Sequence, residues 1–213
     1  MKNEQTRKLT VTAMLSALAF VAVALLRFPV VLFLSYEPKD VIIAFGGFLY
    51  GPTAALAISA VVSLAEMLTI SSTGWIGFIM NVLSTAAFAC TAALVYKKKH
   101  TLTGAALGLV LGTLAMTALM LLWNYVLTPL YMNTTRADIA ALLIPVFLPF
   151  NLLKGGMNSA IALYLYRPTV LGLRRINLFP QSAGKPTDAK EKRIVWIVAG
   201  VVLAACVVFM VLL

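Results

Sequence analysis

The chain has 213 residues, of which 62% are apolar and only 11% charged, about half the charged share of roughly 25% found in soluble domains. That palette cannot cover a water-soluble fold, so a soluble globular enzyme is excluded and an integral membrane protein is expected. The formal charge of +10, from 17 Lys and Arg against 7 Asp and Glu, is therefore read as a topology signal before it is read as a nucleic-acid footprint.

A helix needs about 20 mostly apolar residues to cross a bilayer core. In chain order the apolar runs predict helices over 9–28, 41–50, 53–70, 76–96, 102–127, 146–166 and 194–213. The second run is short: it opens after Pro38 and closes at Gly51-Pro52, where proline interrupts helical continuation. The expected fold is all-α, six helices in one block plus one extra helix at the C-terminus. As domains, residues 1–178 form the six-helix membrane unit, 179–193 a basic cytoplasmic linker with Pro180 and Pro186, and 194–213 the additional transmembrane helix. The first run is too long for the apolar core of a signal peptide.

Basic residues orient these helices. With the N-terminus inside, the inner segments hold Lys2, Arg7, Lys8, Lys97, Lys98, Lys99, Arg167, Arg174, Arg175, Lys185, Lys190, Lys192 and Arg193, which is 13 of the 17. The outer segments hold Arg27, Lys39 and Arg136, and Lys154 falls within a span. The positive-inside rule selects this topology, which places the C-terminus outside if the last helix spans. Most of the basic excess is thereby accounted for, and no aromatic-basic motif points to nucleic acid.

Several chemistries have no motif to carry them. No G-x-x-x-x-G-K-[ST] loop is present, so ATP binding by this chain is not expected. His100 is the single histidine and follows Lys97–Lys99 in an inner loop; Cys90 and Cys206 lie on different apolar helices without metal-ligand spacing. Neither G-x-S-x-G nor H-E-x-x-H occurs. No catalytic residue, metal site or cofactor is expected.

Ionisable and amide groups inside spans are costly and are functional candidates by default. Pro149 suits a first helical turn, which puts Asn151 and Lys154 three apart on one face, followed by Gly155 and Gly156. Lys154 either shares a polar pocket with Asn151 or snorkels to the interface. Asn124, between Trp123 and Tyr125, suits a ligand contact or an interhelical hydrogen bond. Glu66, late in the third helix, faces either the pocket or interfacial water. Asp40, beside Glu37 and Lys39 at the start of the second helix, either meets a ligand or complements the helix dipole. Gly74 and Gly77 either shape a turn or admit a flat ligand. Glu37, Glu66, Gly74, Asn124, Asn151 and Lys154 all fall in the outer half, which favours one outward-opening pocket with aromatic walls such as Trp75, Trp123 and Tyr125. Amides and an ammonium suit a heterocycle with carbonyl and imide edges, and carboxylates suit hydroxyls. In the first helix, Ala13-x-x-x-Ala17 is a small-residue pattern that permits close helix packing.

Taken together, these residues resemble the riboflavin-specific substrate-binding (S) component of energy-coupling-factor vitamin transporters. The likeness runs from about Lys8 to Leu178. It is carried by Ala13-Met14-Leu15-Ser16-Ala17, Phe33-Leu34-x-x-Glu37-x-x-Asp40, Phe48-x-Tyr50-Gly51-Pro52, Gly74-x-x-Gly77-x-x-x-Asn81, Trp123-Asn124-Tyr125-Val126 and Leu148-Pro149-Phe150-Asn151-x-x-Lys154-Gly155. The resemblance implies a six-helix bundle in the bacterial cell membrane that binds riboflavin from outside, as transported substrate and not as cofactor. It implies that Asn124, Asn151 and Lys154 hold the ring edge, and that Leu34, Glu37 and the Gly74/Gly77 turn help enclose the ligand. It further implies that Ala13 and Ala17 dock on a transmembrane coupling (T) subunit driven by two cytosolic ATPases. Asp40 and Glu66 complete the expected substrate-binding set.

Three departures stand out. The family usually has Asp and a small polar residue at Glu37 and Lys39, an amide at Glu66, and no helix at 194–213; that helix is either a membrane anchor or a docking element. Two alternatives remain beside riboflavin uptake: an S component for another vitamin or flavin analogue, and a proton-coupled secondary carrier working through Glu66.

Overall fold

The computed structural model describes residues 2–32, 34–71, 73–132, 134–175 and 189–212. Helices occupy all seven expected regions: α1 (Lys2–Leu26), α2 (Lys39–Tyr50), α3 (Pro52–Thr69), α4 (Gly74–Lys98), α5 (Leu102–Met132), α6 (Arg136–Leu142) continuing into α7 (Leu148–Arg175), and α8 (Ala189–Leu212). Among the described residues, five helical runs are long and apolar enough to cross a membrane: Glu4–Leu26, Pro52–Thr69, Gly74–Lys98, Leu102–Met132 and Arg136–Tyr166. Residues 179–188 of the expected linker lie outside the described residues.

α2 differs from its neighbours in kind. Its 12 residues span only about 18 Å, well short of a bilayer core of about 30 Å. Side chains on every side of it are buried, from Val41 and Ile43 to Phe45 and Phe48, as expected of a helix apolar all round. It sits at the centre of the bundle against α1, α3, α4 and α7. Because α2 and α3 meet at Gly51-Pro52 and α3 is six residues longer, the first turn of α2 ends deep in the bundle, beside the upper part of α3.

The tightest helix pair is α4 with α5. A Cβ on Gly108 or Gly112 would collide with the backbone carbonyl oxygens of Ala92 and Phe88. The Gly-x-x-x-Gly spacing thus brings two backbones together where lipid supplies no hydrophobic drive for association.

Two elements differ from the expected helix-only chain. The first outer segment is a hairpin, β1 (Phe28–Val31) and β2 (Leu34–Tyr36), pairing Phe28 with Tyr36, Pro29 with Ser35 and Val31 with Leu34 across a bulge. Its aromatic and β-branched residues favour strand, and at four and three residues it is too short for periodicity to reveal. The second is the last long run, which starts at Arg136 and not near 146. Thr135 and Asp138 form a reciprocal capping box there, and the chain passes Pro145 in a π-helical turn, Leu143–Phe147. Pro149 has no N–H to give the carbonyl four residues back, and the wider turn instead lets Leu148 N–H bond the Leu143 carbonyl.

α8 runs antiparallel to α7. Near its start, Trp196 meets Tyr164 edge-on at 5.1 Å; further along, Leu203 and Cys206 pack on the cluster of Tyr36, Leu153 and Met157. Gly112→Val is expected to wedge α4 from α5 and cost about 1–3 kcal/mol, the usual penalty of overpacking. Thermal unfolding in detergent measures it; an unchanged midpoint would show that the two backbones have no need of their close approach.

Candidate ligand site

The ends of α1, α3 and α5 and the starts of α2, α4 and α7 gather at one end of the bundle. Because α2 stops short, its first residues lie inside this end and are enclosed. Lys39 and Asp40 are 0% exposed, as is Glu66 on α3. A buried charge needs a partner, and here three cations face three anions. Lys39 Nζ bonds both carboxylate oxygens of Glu66, at 2.5 and 2.6 Å, and stands 3.0 Å from Glu37 Oε2. Lys154 Nζ, on α7, is 3.2 Å from Glu37 Oε2 and 3.8 Å from Asp40 Oδ2. Arg27, at the end of α1, reaches Glu37 Oε1 at 3.8 Å.

Neutral groups complete the shell. Thr85 on α4 donates to Asp40 Oδ1 at 2.7 Å. Asn158, one turn beyond Lys154, donates to Asp40 Oδ2 and to the Glu37 carbonyl, both at 3.3 Å, and accepts from the Tyr36 hydroxyl at 2.8 Å. Asn81 on α4 donates to Glu66 Oε2 at 2.9 Å. Burial of the Glu37 carboxyl would raise its pKa, but the ammonium groups of Lys39 and Lys154, and then Arg27, outweigh this and lower it to about 2.

Above the cluster opens a partly enclosed cavity. The hairpin contributes Leu34 and Ser35, followed by Glu37; α4 contributes Ile76, Gly77, Met80, Asn81 and Ser84; α5 contributes Met120, Asn124 and Tyr131; α7 contributes Phe150, Asn151 and Lys154. Arg27, Ser71 and Thr73 complete the lining. Both amides of α5 and α7 are self-satisfied at one proton: Asn124 donates to the Met120 carbonyl and Asn151 to the Phe147 carbonyl, each four residues back at 2.7 Å. The Asn124 oxygen accepts from Thr128 at 2.9 Å.

Of the expected ligand residues, Leu34, Glu37, Gly77, Asn124, Asn151 and Lys154 line this cavity together. Asp40 and Glu66 are outside the lining and lie in the ion cluster beneath it. Gly74 is outside it too; with φ +56 it takes the left-handed conformation of the turn into α4, which glycine accepts without strain. At Gly77 a Cβ would collide with the Thr73 side chain, so its role is to let Thr73 and Ser71 lie close against the helix. The expected aromatic walls are elsewhere. Successive helical residues diverge by about 100°, so Trp123 and Tyr125 turn aside when Asn124 points in, and Trp75 is 68% exposed. Tyr131 and Phe150 supply the cavity's rings instead. Lys39, counted from sequence among the outer loop cations, is fully enclosed.

Asn81, Ser84 and Asn158 carried a readable signal. Gly77, Asn81 and Ser84 fall on one face at i, i+4 and i+7, and Asn151, Lys154 and Asn158 on another at i, i+3 and i+7. The pairing of Lys39 with Glu66, 27 residues apart, had none.

On the outside of the bundle, Ala13 and Ala17 border an apolar groove between α1 and α3, with Leu9, Phe20, Ala57 and Val61 around them. Both alanines are exposed, and large apolar side chains of α1 such as Leu9, Met14 and Leu18 also face outward.

The family model for the substrate-specific component of ECF transporters matches residues 7–166. The chain is 34% identical over 182 residues to the riboflavin transporter RibU of Staphylococcus aureus (strain TCH60), covering 81% of this chain and 95% of that protein. It is 34% identical over 163 residues to the riboflavin transporter FmnP of Bacillus subtilis (strain 168), covering 71% and 85%. Among solved structures, the S component of a bacterial ECF transporter matches with a TM-score of 0.68 at 31% identity, covering 80% of this chain and 99% of that one.

The lowered pKa of Glu37 fixes the sign of one pH dependence. Its stabilising contribution is present above the ordinary carboxyl value of 4.5 and is lost as pH falls through about 2. The unfolding midpoint of the protein is therefore expected to exceed that of Glu37→Gln at neutral pH, with the gap closing between pH 4.5 and 2. A gap that stays constant over that range, measured by thermal unfolding in detergent, would count against an ionised Glu37.

Proposed function

This chain belongs to the substrate-specific components of ECF transporters, and on that premise we propose that its cavity binds riboflavin for uptake across the cell membrane. The protein is a transport component and not an enzyme. The observation that carries the riboflavin reading is the cavity wall in which Asn124, Asn151 and Lys154 converge from two helices. Two amides offer donors and acceptors to a ring edge bearing alternating carbonyl and N–H groups, and the ammonium offers a further donor. The names of the RibU and FmnP relatives support the same substrate.

The ligand residues in this reading are Leu34, Glu37, Gly77, Asn124, Asn151 and Lys154, with Asp40 and Glu66 holding the floor and Gly74 the turn. Lys154 has a second duty, because it is one of the cations balancing Glu37 and Asp40. A proton-coupled carrier working through Glu66 is disfavoured: both oxygens of that carboxylate are held by Lys39 and one also by Asn81.

Uptake needs energy from elsewhere, since the sequence holds no P-loop. We assign the groove at Ala13 and Ala17 as the docking face for a transmembrane coupling subunit with two cytosolic ATPases. Its small residues leave room for a partner helix at close range. The connectivity puts Lys97, Lys98 and Lys99 at the end opposite the cavity, so the positive-inside rule sets the cavity outside and the N-terminus in the cytoplasm. Residues 1–178 are then the binding unit; 179–193 are an inner segment in which α8 already begins at Ala189, and the helix that continues from 194 has its end outside.

Detergent-purified protein titrated with riboflavin is expected to quench flavin fluorescence at one site per chain. Asn151→Ala and Lys154→Ala should weaken binding by about 1–3 kcal/mol, the cost of leaving buried polar partners unmatched; unchanged affinity in both would remove them from the pocket. Ala13→Val with Ala17→Val should leave this titration unaltered while lowering riboflavin uptake in cells carrying the coupling subunit and ATPases. Equal loss of binding and uptake would make these alanines packing residues.

A further inference from the structure

Two positions that depart from the family resemblance, Lys39 and Glu66, are each other's partners. Neither lines the cavity, and both are fully buried. Among the described residues, their one connection to the cavity surface through a neutral side chain is the hydrogen bond from Asn81 to Glu66. A carboxylate only accepts hydrogen bonds, so the Asn81 –NH₂ must face Glu66. The amide oxygen of Asn81 is therefore turned away from that carboxylate, on a side chain that lines the cavity. We propose that Lys39 and Glu66 act as a positioning pair that holds Asn81 with its amide oxygen toward the cavity, where it accepts a hydrogen bond from a hydroxyl of the ligand's polyol chain.

The inference rests on the riboflavin reading and deepens it. The walls of the cavity differ in hydrogen-bonding character. The Lys154 ammonium only donates, which suits carbonyl oxygens of a ring edge. On α4, Asn81 and Ser84 lie three residues apart on one face, and Ser84 adds a hydroxyl able to accept or donate. A flexible chain of hydroxyls is best matched by such acceptors. A neutral amide at position 66 would hold Asn81 less strictly, because an amide can accept or donate and so tolerates either orientation of its neighbour. A carboxylate removes that freedom, and bonds to a charged acceptor are also the stronger ones. A lone buried carboxylate would be costly, which explains why Lys39 accompanies it: the lysine neutralises Glu66, and neither of the two lines the cavity.

The test compares riboflavin with lumiflavin, which has the same ring system but a methyl group in place of the ribityl chain. Full-length protein in detergent is titrated with each flavin by fluorescence quenching, as wild type, as Asn81→Ala, and as the double variant Lys39→Met with Glu66→Gln. In both variants the riboflavin Kd is expected to rise about tenfold while the lumiflavin Kd stays within about twofold, as for one lost hydrogen bond to the polyol. Lumiflavin binding serves as the internal measure of a folded site. If Asn81→Ala changes both affinities equally, or neither, the polyol contact is refuted. If Asn81→Ala is selective but the double variant keeps full riboflavin affinity, or loses both flavins together, the pair does not position Asn81. Wild-type protein that binds neither flavin refutes the riboflavin reading and this inference with it.

Discussion

Charge neutrality in a water-poor interior is the constraint on which the site depends. An isolated ion at such depth costs several kcal/mol even after relaxation, so Lys39, brought inside by the first turn of a helix too short to reach the bundle end, cannot stand alone. Its two carboxylate partners come from the hairpin connection and from α3. Glu37 in turn draws in Lys154 from α7 and Arg27 from α1. One buried ammonium thus ties together four separate parts of the chain. Such a cluster adds little net stability compared with an apolar core. It does restrict the arrangement, since moving one member leaves another charge unmatched. The cavity inherits a floor whose polar groups are already oriented before any ligand arrives.

The rest of the molecule separates rigid from available surfaces. α4 and α5 meet backbone to backbone through Gly108 and Gly112, and the cavity residues Asn81 and Asn124 sit further along those same two helices. Their separation is therefore set by carbonyl contacts and not by adaptable side chains. α1 is the opposite case. Among its described residues only one stripe, including Ser16, Ala19 and Val23, is buried, while the alanine face borders an open groove. A surface of this kind is suited to exchanging lipid for a protein partner, because small residues leave neither side chain entropy nor bulk to be displaced.

How much of this was legible in the sequence follows from which signals are local. The apolar runs located each helical region but not its bounds, the last long run beginning at Arg136 and not near 146, and Gly51-Pro52 marked the α2–α3 turn. The scarcity of charge made Glu37, Asp40, Glu66 and Lys154 conspicuous, and they do lie together. What composition could not supply was the division between wall and floor. Asp40 and Glu66 look as available as Glu37 when only their position along a helix is known. Their depth depends on α2 being short relative to α3, and on Lys39 reaching a residue 27 positions away. The aromatic walls failed for a related reason: nearness in sequence to Asn124 turns Trp123 and Tyr125 away from it. The hairpin and the π turn escaped because each spans too few residues to impose a period.

The hairpin is also where membrane physics and ligand access meet. Unpaired strand edges are not tolerated in hydrocarbon, so two short strands can only lie at the bundle end or over protein. The short α2 leaves room for them above its first turn. There Leu34 packs with Ile139, Phe147 and Phe150, and Tyr36 joins Leu153 and Met157. Strand alternation would send Leu34 and Tyr36 to one side, and that side is the one facing α7. The same hairpin then delivers Glu37 to the ion cluster immediately after Tyr36. Leu34 and Ser35 of the wall and Glu37 of the floor thus belong to one short segment, which ties the hairpin to the contacts of Glu37 with Lys39 and Lys154.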